Sequence, residues 1–155
     1  MHSLAIYLVH VTTDNDFIET IIVSAHRLTR AAASITGDPI SPAIWRTLSI
    51  LRAEGPMRIG ALAEASRVAQ PTMTKLLANI VEQELVRRIA DVDDSRAWLI
   101  AIAPKGESAL DEHRREIGAA LAPLFDDLTD VDRSALQRAA RLLEQRAAGR
   151  IELAS

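Results

Sequence analysis

Residues 59–78 read IGALAEASRVAQPTMTKLLA, and the spacing of their apolar members decides the fold. Two helices that cross through a tight turn need a small residue at the crossing, an apolar plug in the turn and an apolar anchor on the second helix. Ala63, Val68 and Met73 stand in those places at equal intervals. Ile59 and Leu62 complete the inner side of a short helix over residues 59–65. Leu76, Leu77 and Ile80 continue that of a longer one from about residue 70 to 83. Pro71 suits its first turn, where a backbone N–H has no intrahelical partner. With these residues inward, Gln70, Pro71, Thr72, Thr74 and Lys75 face outward. A helix in the DNA major groove reads bases from its first turns. Gln and Thr hydrogen-bond base edges, a Thr methyl meets a thymine methyl, and Lys meets phosphate or guanine. The same spacing also occurs in ordinary helix pairs, where such a row is only a solvated face.

The next segment separates these readings. After residue 84 the apolar period changes from helix to strand. Residues 85–89 and 98–102 read as strands around the polar stretch Ala90-Asp91-Val92-Asp93-Asp94-Ser95-Arg96-Ala97. A helix-turn-helix followed by a β-hairpin and another helix is a winged helix, whose wing tip lays an Arg along the DNA backbone or into a minor groove.

Helices flank this centre. Residues 14–34 carry an apolar stripe (Phe17, Ile18, Ile21, Ile22, Ala25, Leu28, Ala32), and Gly37-Asp38-Pro39 breaks it. Ser41-Pro42 opens a second helix with inner residues Ile44, Leu48 and Leu51, beside Trp45, and Gly55-Pro56 ends it. Pro104-Lys105-Gly106 restarts helix up to about Phe125. Thr129 with Asp132 resembles a capping box before a last helix that runs to about Ala148 and is decorated by Arg133, Arg138, Arg141, Arg146 and Arg150. The outer helices are apolar along more of their length than so small a centre covers, and a second copy of the chain is the economical partner. The expected organisation is an N-terminal tail over residues 1–13, dimerisation helices over 14–36 and 104–148, a winged helix-turn-helix over 41–103 and a C-terminal tail over 149–155. The fold class is mainly α with a small β-hairpin wing.

Composition agrees. The chain has 155 residues, 48% of them apolar and 25% charged, which are ordinary globular values. There is no cysteine, which excludes disulfides, thiolate metal sites and thiol redox sensing and favours the cytoplasm. Residues 4–11 are apolar, too few to span a membrane, and no Lys or Arg precedes Arg27, as a signal peptide would require. The formal charge is −3, but residues 42–105 hold nine Lys and Arg against seven acids, so a slightly basic reading head sits on acidic flanks.

Val68–Lys75 (VAQPTMTK), Leu85-Val86-Arg87-Arg88 and above all residues 91–106 (DVDDSRAWLIAIAPKG) resemble the MarR family of transcriptional regulators. The last stretch is similar to the family's wing, D-x-x-D-x-R, an apolar strand, then L-T-x-x-G. The resemblance implies a homodimer in which each protomer presents one winged helix to half of a palindrome. It places Gln70, Thr72, Thr74 and Lys75 in the major groove and Arg96 in the minor groove, with Asp94 holding Arg96 by an ion pair. The sequence departs from the family at Arg67 and Glu84, where Gly is common, at Ser95, which often has an Arg counterpart, at Ala103, which replaces Thr, and at Ala69, a poor helix cap.

The leading functional expectation is a repressor whose DNA-bound population a small aromatic effector shifts. Trp45, His26 and Arg30 are candidates for its pocket, although a Trp there is equally suited to plain core. His26 and His113 come together if the first and fifth helices pack, but no further ligand spacing supports a metal, and no cofactor is expected. A winged-helix protein-interaction module without an operator is the alternative, motivated by the acidic total and the weak cap and turn residues. An enzyme is disfavoured, since no nucleophile triad, phosphate loop or paired carboxylates are present.

Overall fold

The computed structural model describes residues 16–37, 40–94 and 96–151, with the side chains of 148–151 excepted. In chain order these form α1 (Asp16–Thr36), α2 (Pro42–Glu54), α3 (Ile59–Ala65), α4 (Gln70–Glu82), β1 (Val86–Ala90), β2 (Trp98–Ile102), α5 (Pro104–Leu121), a single 3-10 turn (Ala122–Phe125) and α6 (Asp130–Ile151). The expected N-terminal tail, Asp38, Pro39 and Ser95 lie outside the described residues. The last helix continues to Ile151, so residues 149–151 are helix and not tail.

Two helices begin on a side-chain cap. Ser41 caps α2 by accepting the Ala43 N–H at 3.3 Å, and Pro42 occupies the first turn. Thr129 caps α6 by accepting the Asp132 N–H at 3.2 Å while its hydroxyl donates to the Asp132 carboxylate at 2.6 Å. Three α-helices start without one: Arg58, Ala69 and Ala103 precede α3, α4 and α5 with no side-chain acceptor.

The core lies between α2, α3, α4, the hairpin and the start of α5. Leu48, Leu51, Leu62, Met73, Ile80 and Leu110 are its fully buried side chains. β1 and β2 pair antiparallel, Val86 opposite Ile102 and Ala90 opposite Trp98. Met57 adds a short third rung, exchanging backbone hydrogen bonds of 3.1 and 2.9 Å with Ile100. The outer helices are different. In α1 only Ala32 is buried, and in α6 none of the described side chains is. α1 packs along α5, yet Phe17 and Val131 remain 62% and 78% exposed, among a long run of uncovered Ile and Leu.

Among the described residues, two that are not glycine adopt the left-handed backbone region, Arg67 at φ 55° and Glu84 at φ 60°. They are the two positions where the family commonly has Gly, and both close helices. At Glu84 the chain turns so that the Glu84 N–H reaches the Val81 carbonyl at 2.9 Å and the Leu85 N–H reaches Ile80 at 3.1 Å. Those bonds satisfy the free carbonyls at the end of α4 and aim the chain into β1.

Candidate nucleic-acid interface

The helix-turn-helix assembles as its spacing requires. Ala63 is 4% exposed and Met73 is fully buried, while Val68 is half-buried against the core. The Val68 N–H donates to the Ala63 carbonyl at 3.0 Å, which fixes the turn. On the opposite side of α4, Gln70, Pro71, Thr72, Thr74 and Lys75 are all exposed. The Thr74 hydroxyl donates to the Gln70 carbonyl at 3.0 Å, which holds its methyl and oxygen in one orientation. The missing cap before α4 leaves first-turn N–H groups open at the helix end that carries these residues.

The wing is braced from an unexpected direction. Arg58, which precedes α3, donates through Nε to Asp91 Oδ2 at 2.8 Å and brings Nη2 to 2.7 Å from the same oxygen. Asp91 is 8% exposed, and its other oxygen accepts the Asp93 N–H at 3.0 Å. Arg58 Nη2 also lies 3.6 Å from Asp94. The Asp93 amide first, and then the Arg58 guanidinium, hold the Asp91 carboxyl below its ordinary range, and Asp91 in turn raises Arg58. Asp94 supports the tip, but not through an ion pair with Arg96. Its carboxylate accepts the Arg96 backbone N–H at 3.1 Å, and its charged partner is Arg58. The reason is geometric: two residues apart in a tight turn, a carboxylate reaches the amide ahead of it more readily than the guanidinium beyond. The Arg96 side chain is left exposed and makes no ion pair among the described residues.

The expected pocket residues separate. Trp45 stacks on His113, ring centroids 4.1 Å apart and planes at 9°. Together with Thr29, Ala33, Ile40 and Ile117 they line a cavity of about 210 Å³ between α1, α2 and α5. His26 and Arg30 do not reach it; they border a separate open depression on α1 with Val23 and Arg27. The rotation of α1 about its axis, which its broad apolar stripe leaves undetermined, places them there. His113 thus belongs to Trp45 and not to His26. Among the described residues no group of three His, Asp or Glu side chains is gathered to hold a metal, and no helix is long and apolar enough to cross a membrane.

A two-helix reading head, a hairpin wing and long outer helices are shared with known proteins. Residues 40–98 match the model of the MarR family. An uncharacterised HTH-type transcriptional regulator of Mycobacterium bovis is 31% identical over 105 residues, covering 68% of this chain and 73% of the relative. The chain belongs to the MarR family. A solved MarR family protein from Bacillus stearothermophilus superposes with a TM-score of 0.65 at 25% identity, over 85% of this chain and 93% of that one. The transcriptional regulator Tm0710 of Thermotoga maritima shares the fold with a TM-score of 0.70 at 22% identity, over 88% and 96% of the two chains. MarR proteins are helix-turn-helix transcriptional regulators and not enzymes, and this chain is a regulator of that type.

The sequence pattern does not reveal Arg58 and Asp91 as partners. Asp91 lay inside the wing pattern, but Arg58 carried one signal only: it sits in a capping position where Ser, Thr, Asp or Asn is the ordinary choice.

Proposed function

We propose that this MarR protein is a ligand-responsive repressor that binds a palindromic operator as a homodimer, in the cytoplasm with the DNA. The observation that carries the reading is the exposed row Gln70, Pro71, Thr72, Thr74 and Lys75 on a helix whose other side is fixed in the core by Met73, Leu77 and Ile80. A polar row on a rigid helix, with an unpaired Arg96 on the wing beside it, suits a major groove and its neighbouring minor groove. Dimerisation is favoured by the uncovered apolar faces of α1 and α6, since a monomer rarely leaves so much Ile, Leu and Phe in water.

The cavity beside Trp45 supports the ligand response. An apolar cavity of roughly 150 Å³ admits benzene, and this one is larger at about 210 Å³. It lies where the outer helices α1 and α5 meet α2 of the reading head. A small aromatic molecule that fits one angle between those parts better than another shifts the dimer on or off DNA.

Fluorescence anisotropy on duplex DNA from upstream of the protein's own gene tests the reading. Binding that exceeds a scrambled duplex, falls steeply with salt and weakens in Arg96→Ala supports it. Equal and feeble binding to both duplexes sinks it and favours a protein-interaction module, whose partner binding would be nearly insensitive to salt.

A further inference from the structure

Trp98 opens β2 and is 60% exposed, an unusual place for the largest apolar side chain. Side chains alternate along a strand, so Trp98 shares a face with Ile100, which is 5% exposed and sits in the core. Arg88 is the cross-strand partner of Ile100 and shares that face as well. Opposite them stand Thr74 and Val81 of α4, and the floor between is apolar, including Leu77 and Ile59. The result is an open groove of about 260 Å³ running between the recognition helix and the stem of the wing.

We propose that this groove seats the sugar–phosphate backbone of one DNA strand, with Arg88 taking a phosphate and Trp98 packing its ring against the adjoining deoxyribose. The inference rests on the DNA-binding reading above and adds two contact residues that belong to neither the outward row of α4 nor the wing tip.

Geometry supplies the first argument. When a helix occupies the major groove and a wing tip enters the adjacent minor groove, the backbone strand dividing those grooves must pass between the two protein elements. The protein groove lies between the same two elements. Thr74 belongs to both surfaces, standing in the outward row of α4 and in the groove wall, so groove and reading face are continuous.

Chemistry supplies the second. A guanidinium presents paired donors that match phosphate oxygens. Arg88 makes no ion pair among the described residues, whereas Arg58 is committed to Asp91 and Asp94. The groove thus offers one uncommitted cation over an apolar floor. An indole offers a flat apolar face for sugar C–H groups and an N–H donor for a phosphate oxygen. A purely apolar partner would bury the Arg88 charge without compensation.

The chain has two tryptophans, so Trp45→Phe leaves Trp98 as the only indole emitter. Emission from that variant is followed while unlabelled duplex is added, using the upstream DNA or a mixed-sequence duplex at low salt. In parallel, anisotropy on labelled duplex compares wild type, Arg88→Gln and Trp98→Val across a salt series. Trp98 emission should shift and lose intensity on binding. Arg88→Gln should lower the magnitude of the logarithmic salt slope by about 0.9 for each protomer bound. Trp98→Val should weaken binding roughly ten-fold, the scale of one aromatic contact to nucleic acid. Both should leave the preference for upstream over scrambled DNA unchanged, because backbone contacts carry no sequence information. Wild-type affinity and slope in both variants, with steady Trp98 emission while the wild type binds, overturn the groove assignment and leave DNA binding standing. Failure of the wild type to bind any duplex at low salt overturns the DNA reading, and this inference with it.

Discussion

Arg58 and Asp91, 33 residues apart in sequence, join the start of α3 to the wing through two contacts to one carboxylate oxygen, at 2.8 and 2.7 Å. The wing is a two-stranded hairpin, and such a ribbon holds its shape poorly by itself. Its base is anchored by Met57 and the core, but its tip rests on Asp91 and Asp94, both of which face Arg58. The brace therefore fixes where Arg96 stands relative to α4.

Arg58→Ala should free the tip without unfolding the chain, because the Arg58 side chain is half exposed and its charged partners, Asp91 and Asp94, both lie in the wing. Amide hydrogen exchange at residues 93–97 should quicken while the core amides keep their protection, and DNA affinity should fall several-fold. Arg58→Lys should recover only part, since an ammonium cannot match the forked contact. Unchanged exchange at the tip in Arg58→Ala would mean that the hairpin turn is self-supporting.

The same pair sets a pH dependence. Asp91 is held below its ordinary value by the Asp93 amide and Arg58, so its contribution to stability is present above the unfolded carboxylate pKa, about 3.9. It is lost as pH falls through the lower folded value. Asp91→Asn should therefore melt below the wild type by a constant margin between pH 7 and 5, and the margin should begin to close as pH falls below about 4. A margin that does not shrink at all on that acid side would assign the loss to packing and not to charge.

Local spacing made the reading head legible. Ala63, Val68 and Met73 announced the helix pair because each sits within a few residues of the turn it serves, and the change of period after residue 84 announced the wing. The unused apolar faces of α1 and α6 were legible too, since a stripe without a partner shows in the pattern. Contacts between distant segments were not. Nothing in the sequence pairs Arg58 with Asp91, and the wing pattern suggested an Asp94–Arg96 ion pair where the shorter reach to the Arg96 amide prevails. His26 and Arg30 were drawn to the Trp45 cavity because both lie on α1. That helix presents Thr29, Ala33 and Thr36 to the cavity, and His113 comes from α5.

Strain at the left-handed positions should be removable. A non-glycine residue there costs roughly 1 kcal/mol. Glu84 at φ 60° offsets part of this with an exposed ion pair to Lys105 at 3.1 Å, a contact of small value in water. Glu84→Gly should raise unfolding free energy by about 0.5 kcal/mol in urea titration, after the entropy that glycine loses on folding. A fall in stability would show that the Lys105 pair outweighs the strain.

At the uncapped start of α4, stability and DNA affinity are expected to move in opposite directions. Ala69 has the extended backbone of a capping residue, φ −65° and ψ 143°, but no acceptor. Ala69→Ser should add about 1 kcal/mol by satisfying a first-turn N–H. If a DNA phosphate normally occupies those N–H groups, the hydroxyl competes with it, and affinity falls although the protein is more stable. Greater stability with unchanged affinity would place the phosphates elsewhere on the surface.

Gly106 is a point of close approach between α5 and the start of β1. A β-carbon there would stand 2.1 Å from the Leu85 carbonyl oxygen, which already accepts the Ala103 N–H at 3.0 Å. Neither is a flexible side-chain end, so the first turn of α5 must move away from the start of β1. Gly106→Ala should cost about 3 kcal/mol, at the upper end for overpacking. α5 continues from this turn to the Trp45 cavity through His113 and Ile117, so its displacement should also alter cavity and wing together. Urea denaturation gives the first effect, and Trp45 fluorescence in a Trp98→Phe background gives the second. A destabilised variant whose Trp45 emission matches that background would confine the strain to the β1–α5 junction. A changed emission would show that the junction transmits movement from the hairpin to the cavity, the route that a ligand-dependent regulator needs.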